Sequence, residues 1–286
     1  MNVILVFLVL IAQSPEIKLE TERLVTNATQ RSPHKHHLYP AIIDGYPAKM
    51  TEFPFAVRLY IYYDRSVIMC TGITISRKLV LTAAHCLPIH ASVIVVTGNS
   101  DQTDYVKGKN LDNYARYRAK ETFVHPEYNS ENAAHDIGIV KVSREMVHKT
   151  YGAIEPSYDK IISPQKGTIF GWGGTPLNAQ NNKLFGKHLM VHNCTYTSTN
   201  YGYLCLMDKG ICHGDSGGGM IINNSIYGIA SFYVYNQNIC HTYFYTAISQ
   251  EANFIKEILR TNSAHDDVSS VLLITASLAV CFLQNG

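Results

Sequence analysis

Three short segments of this 286-residue chain carry side chains suited to nucleophilic catalysis. Cys212-His-Gly-Asp-Ser-Gly-Gly218 sets Ser216 among glycines, where the backbone can turn sharply and a carbonyl group can approach closely. Consecutive N–H groups in such a turn can converge on an oxyanion. Leu81-Thr-Ala-Ala-His-Cys86 puts His85 beside a cysteine at the end of an apolar strand. Ala134-His-Asp-Ile-Gly-Ile-Val140 puts Asp136 just ahead of another apolar strand. A serine hydroxyl is a weak nucleophile until a base takes its proton. That base needs a buried acceptor to fix its tautomer and to stabilise the imidazolium. Ser216, His85 and Asp136 have the chemistry for these three roles. A glycine-rich turn with one serine is common by itself, so the weight lies on the three segments together.

The elements that must hold these residues are short. Phe55-Ala-Val-Arg-Leu-Tyr-Ile61, Gly72-Ile-Thr-Ile75, Val93-Ile-Val-Val-Thr97, Ile137-Gly-Ile-Val-Lys-Val142, Gly167-Thr-Ile-Phe170, Met220-Ile-Ile222 and Ile226-Tyr-Gly-Ile-Ala230 read as strands. Ser249 to Arg260 alone has helical spacing, with Ala252, Ile255, Ile258 and Leu259 on one face. Many short strands and one late helix point to an all-β fold of packed barrels rather than an α/β sheet. With 46% hydrophobic and 16% charged residues, the chain can bury a substantial core. A net charge of +2 gives no electrostatic reason to expect nucleic acid as a partner.

The ends differ in texture from the middle. The N-terminal apolar run through Ala12 has the length of a secretory signal, assigned to residues 1–14. Residues 15–41 are polar and read as a pro-segment; their His34-Lys35-His36-His37 cluster lacks acidic or cysteine partners at ligand spacing. The globular domain is expected over 42–262. In the tail, 263–286, small residues at Asn262-Ser263-Ala264 precede a spacer and the apolar run Val271–Leu283. That order suits a removed lipid-anchor signal, which would attach the chain to a membrane, and equally an ordinary apolar extension. Seven cysteines suit an oxidising compartment, with Cys281 left over in the tail. Asn27, Asn193 and Asn223 open Asn-x-Ser/Thr triplets and are candidate glycan sites.

In residue type and in their order His, Asp, Ser, the three segments resemble the chymotrypsin/trypsin-like serine peptidase family from Ile42 to about Arg260. The resemblance implies two six-stranded antiparallel β-barrels with a C-terminal helix, and an active site in the cleft between them. It implies His85, Asp136 and Ser216 as the catalytic residues and the N–H groups of Gly214 and Ser216 as the oxyanion hole. It suggests the pairs Cys70–Cys86, Cys194–Cys205 and Cys212–Cys240, among the 15 connectivities that six cysteines allow. Phe170-Gly-Trp-Gly173 matches a family turn and holds the single Trp, which reads as structural. Expected partners are protein or peptide substrates and protein inhibitors; no cofactor or metal is expected.

Two features depart from the family. Its activation frees an Ile-Val-Gly-Gly-like terminus that pairs with the Asp before the catalytic Ser; here Ile42-Ile-Asp-Gly45 and Asp215 are the counterparts, but Ala41 precedes Ile42 in place of Arg or Lys. An uncut chain, with Ile42 simply opening a strand, is the alternative. Gly210 stands six residues before Ser216, where trypsin-like members carry an acid, so cleavage after Lys or Arg is not expected. Ser231-Phe-Tyr233 and Tyr243-Phe-Tyr-Thr246 resemble the pocket walls, with Tyr233 and Tyr243 where the family has glycine. Two phenol rings there would narrow or close the specificity pocket, unless a short loop turns them outward. The leading reading is a secreted or surface-anchored serine endopeptidase preferring a small side chain before the scissile bond. The alternative is a peptidase-fold binding or regulatory protein with an occluded pocket. An esterase is disfavoured: Gly214-Asp-Ser-Gly-Gly218 has the spacing Gly-x-Ser-x-Gly, but the strand–helix nucleophile elbow that this spacing marks is absent, since a strand is expected from Met220.

Overall fold

The computed structural model describes residues 42, 44–98, 101, 115–147, 150–154, 164–173, 183–195, 201–206, 215–236 and 239–262. Asn27, Gly210, Cys212, Gly214, the signal and pro-segment and the C-terminal tail lie outside the described residues, as does the Cys240 side chain.

Strands β2 (Ala56–Tyr63), β3 (Ser66–Thr74), β4 (Leu79–Thr82), β5 (Ser92–Thr97), β6 (Ala115–Val124) and β7 (Gly138–Val142) close into an antiparallel barrel in the order β2-β3-β4-β7-β6-β5. Strands β8 (Gln165–Gly171), β9 (Phe185–Thr195), β10 (Gly202–Leu206), β11 (Gly219–Ile222), β12 (Ser225–Asn236) and β13 (Ile239–Ala247) form the second, in the order β9-β10-β13-β12-β11-β8. The β8–β9 pairing closes it, and the two-residue β1 (Tyr46–Pro47) adds to β9 at its edge. Helix α1 (Ala252–Asn262) follows the last strand and buries Ala252 and Ile255. The two-barrel, all-β expectation with a C-terminal helix is thus what the chain adopts.

Closure explains the run-like apolar strands. Six strands enclose a space that side chains must fill, and most of the buried strand residues are apolar. Leu59, Ile61, Ile73, Leu81, Val95 and Ile139 are fully buried in the first barrel's cluster. Ile169, Val191, Leu204, Met220, Tyr243 and Tyr245 fill the second. Each expected strand forms, with ends moved by a few residues. Strands β6, β9, β10 and β13 were not among those expected. In β6, Arg116, Arg118, Lys120 and Glu121 interrupt the apolar pattern, because only Tyr117 of its ten residues is buried. Its place is set by pairing with β5 and β7 rather than by its own hydrophobicity.

Candidate active site

Strand β4 ends in a 3-10 turn, Ala84–Cys86, entered through the extended Ala83. The turn is held by a disulfide between Cys70 of β3 and Cys86. It presents His85 to Asp136, which lies two residues before β7. The His85 Nδ1–H donates to Asp136 Oδ2 at 2.7 Å, and the His85 backbone N–H donates to Oδ1 at 2.9 Å. The Ser231 hydroxyl donates to Oδ2 at 2.6 Å, and Thr246 Oγ1 donates to the Asp136 carbonyl oxygen at 3.1 Å. Asp136 is 1% exposed, whereas the His85 side chain keeps 20% of its surface open.

These contacts set the electrostatics. Burial alone would push the Asp136 carboxyl up. The His85 charge and the donors from His85 and Ser231 outweigh it and hold the group below the ordinary carboxylate range. Burial likewise opposes protonation of His85, but the Asp136 charge and hydrogen bond prevail, so its pKa lies above 6.5. The pair is arranged as an imidazole with a fixed tautomer and a buried counter-charge, able to accept a proton at Nε2 and hold it.

The Ser216 turn is anchored to strand β3 and to β12. The Thr71 N–H donates to the Ser216 carbonyl oxygen at 2.8 Å, the Gly217 N–H to Ala230 O at 2.9 Å, and the Gly218 N–H to Asp215 O at 2.8 Å. Thr71 follows Cys70, so adjacent residues of one strand anchor the His85 turn by a disulfide and the Ser216 turn by a hydrogen bond. Gly217 is at φ +79°, and a Cβ there would overlap Thr82 Oγ1 and the Thr71 carbonyl oxygen. Only glycine lets the serine turn lie this close to the first barrel.

Asp215 is fully buried and accepts the Gly173 N–H at 2.8 Å. A Cβ at Gly171 or Gly173 would run into its carboxylate, so the Phe170-Gly-Trp-Gly173 turn has glycines because Asp215 lies against it. Trp172, 2% exposed, covers that turn as a packing residue. Ile42 is fully buried in the second barrel's cluster, and its carbonyl accepts the Gly45 N–H.

Tyr233 and Tyr243 are cross-strand partners on β12 and β13, with ring centroids 6.0 Å apart. Tyr243 has no exposed surface, and Tyr233 packs half-buried against the same cluster. Tyr245, two residues on, shares the face of Tyr243; burial and the Asp215 charge raise its phenol well above the usual value. Ser231, placed by the sequence on the pocket strand, turns its hydroxyl to Asp136. That role had no local signal, since it depends on a partner 95 residues away. The disulfide Cys194–Cys205 joins β9 to β10, while Cys212–Cys240 lies outside the described residues. Asn193 and Asn223 are exposed.

A family model described as Trypsin matches residues 42–255. The chain belongs to the trypsin family. A venom serine protease of Polistes dominula is 31% identical over 196 residues, covering 62% of this chain and 68% of that protein. Chymotrypsin of Phaedon cochleariae is 26% identical over 234 residues, covering 75% and 81%. Among solved structures, human heparin binding protein superposes with a TM-score of 0.63 at 19% identity, over 77% of this chain and 97% of that one; this likeness concerns the fold. Like its trypsin-family relatives, the chain is a serine endopeptidase, a hydrolase acting on protein or peptide substrates.

Proposed function

We propose that this trypsin-family chain cleaves peptide bonds through Ser216, His85 and Asp136. The observation that carries the assignment is His85 bound twice by one buried carboxylate, through its ring Nδ1 at 2.7 Å and its backbone N–H at 2.9 Å. Ser216 Oγ attacks the scissile carbonyl carbon while its proton passes to His85 Nε2. The oxyanion is received by the N–H groups of Ser216 and Gly214, each such donor being worth about 2.7–4 kcal/mol. Collapse breaks the C–N bond, His85 returns the proton to the departing amine, and water then hydrolyses the acyl-enzyme along the reverse route. No step needs a metal or cofactor.

Specificity in this reading is set by Tyr233 and Tyr243. With Gly210 in place of an acid, nothing recruits Lys or Arg, and two tyrosines in place of glycines leave room before the scissile bond only for a small side chain such as Ala. Ala41, ahead of Ile42, is itself such a side chain. Processing after Ala41 by this enzyme, or by one with a similar pocket, would free the Ile42 ammonium for Asp215. Residues 1–14 would direct secretion, 15–41 would be the pro-segment, and 263–286 a tail removed on lipid anchoring or retained. A serine-directed fluorophosphonate probe tests the site: labelling of the processed protein, lost in Ser216→Ala, supports the assignment. Near-normal peptide turnover by Ser216→Ala overturns it.

A second reading draws on the full burial of Tyr243 in the second barrel's core. A pocket filled by its own wall would leave a peptidase fold that binds without cutting. A protein with a free Ile42 terminus that neither reacts with the probe nor cleaves peptides would decide for it.

A further inference from the structure

His135, the residue before Asp136, faces a different carboxylate. Its Nδ1 lies 3.1 and 3.2 Å from the two oxygens of Glu251, and His125 Nε2 lies 3.2 Å from Glu251 Oε2. The two imidazoles stack with centroids 4.6 Å apart and planes within 13°. Glu251 is fully buried, and the Tyr201 hydroxyl donates to its Oε1. The donor atoms of His125, His135 and Glu251 all lie within 4.8 Å of one another. A second grouping, His85 with Cys70 and Cys86, has no such capacity, since both sulfurs are spent in a disulfide.

We propose that His125, His135 and Glu251 form a zinc-binding site, with a fourth position for water, that ties the loop ahead of Asp136 to the start of α1. Zinc takes imidazole nitrogen and carboxylate oxygen at about 2.0–2.2 Å in a tetrahedron. Two such ligands are then about 3.3 Å apart, close to the separations of 3.1 and 3.2 Å found here. The His–His–carboxylate set suits zinc, whereas calcium and magnesium favour oxygen ligands. The outer contacts are of the kind that orient metal ligands: Glu127 Oε2 lies 3.7 Å from His135 Nε2, and Tyr201 holds the Glu251 carboxylate. His125 and His135 keep 12% and 27% of their side chains exposed, which leaves a route for the ion.

The same groups also make sense as hydrogen bonds, three donors around one carboxylate. The difference lies in what the nitrogens carry. The Glu127 N–H donates to His125 Nδ1 at 3.1 Å, which puts the proton of a neutral ring on Nε2, facing Glu251. Binding zinc at Nε2 moves that proton to Nδ1 and gives up the Glu127 contact. Binding zinc at His135 Nδ1 likewise moves that ring's proton from Nδ1, which faces Glu251, to Nε2 on the Glu127 side. A ring that starts as imidazolium releases one proton to solvent. The site stands apart from the serine chemistry and does not rest on it.

The test uses the full-length chain in a His34→Ala/His36→Ala/His37→Ala background, so that the pro-segment histidines bind nothing. After chelator stripping, zinc is titrated calorimetrically at neutral pH, with calcium and magnesium as comparisons, and thermal unfolding is followed. The expected result is one zinc per chain, no saturable calcium or magnesium uptake, and a melting temperature raised by zinc and restored by chelator. Outer partners of a metal ligand are commonly worth about 10–100-fold in affinity, so His125→Gln or His135→Asn, each losing a direct ligand, weakens zinc at least tenfold. Circular dichroism checks that each variant folds; should His135→Asn unfold, the partly exposed His125→Gln carries the comparison. Absence of saturable uptake overturns the site, and so does uptake unchanged in a folded His125→Gln variant.

Discussion

Replacing Ser231 by Ala removes one of the donors on the Asp136 carboxylate and leaves both His85 contacts in place. A hydrogen bond to a charged group contributes about 1.5–3 kcal/mol. Its loss therefore raises the Asp136 pKa, since the Ser231 donor is one of the contacts that hold it down. Because Asp136 starts below the ordinary range, it stays ionised at neutral pH. The stability that a depressed carboxylate contributes is present above its unfolded pKa and is lost as pH falls through its folded one. Ser231→Ala is therefore destabilising by about 1.5–3 kcal/mol at neutral pH and by progressively less in acid. A carboxylate with one donor fewer also attracts the imidazolium more strongly. The acid limb of kcat/KM, set by deprotonation of His85 and placed above pH 6.5, moves further up. With half of the lost energy, about 0.75–1.5 kcal/mol, felt in the transition state, kcat/KM falls about 4- to 13-fold. Urea unfolding across pH and a pH–rate profile on a small-residue peptide read both effects. An acid limb that stays put or moves down in the folded variant, or a loss of about 10³-fold or more, would refute the account.

Asp136→Asn removes the counter-charge itself, so its acid limb moves to lower pH, the opposite sign, with a rate loss of the order of 10⁴-fold by analogy with the Ser-His-Asp template; a limb moving upward counts against the assignment. Gly217→Ala meets Thr82 and Thr71 at positive φ and costs more than about 4 kcal/mol, visible as poor folding or a collapsed urea midpoint. The Cys70→Ala/Cys86→Ala double variant opens a crosslink spanning 16 residues and loses about 3 kcal/mol, with unfolding midpoints as the measure. Tyr243→Gly costs about 3–5 kcal/mol of core packing. In return it raises kcat/KM for peptides with Phe before the scissile bond by roughly tenfold or more relative to Ala. A folded variant with unchanged preference removes Tyr243 from the pocket.

The pairing of His85 with Asp136 and the glycine-flanked Ser216 turn could be anticipated from the chain because their signals are local. A serine that needs a turn flanked by glycines, a histidine closing an apolar strand and an aspartate opening one are each written within a few residues. The barrels were legible as alternating runs and turns, except where strands such as β6 are held by both neighbours and spend their surface on charge. The order His, Asp, Ser and the family resemblance then named the pairings Cys70–Cys86 and Cys194–Cys205, which spacing could not choose. The remainder needed coordinates, because it joins residues far apart in the chain. Ser231 reads as a pocket residue until β12 brings its hydroxyl to Asp136. Gly171 and Gly173 look like a turn motif until Asp215 is seen lying against them. His125, His135, Tyr201 and Glu251 have no shared spacing at all; only the packing of the two barrels and the start of α1 brings the first three around the buried carboxylate of Glu251. Sequence records what each residue prefers nearby, whereas barrel closure decides which distant residues must share the same low-dielectric space.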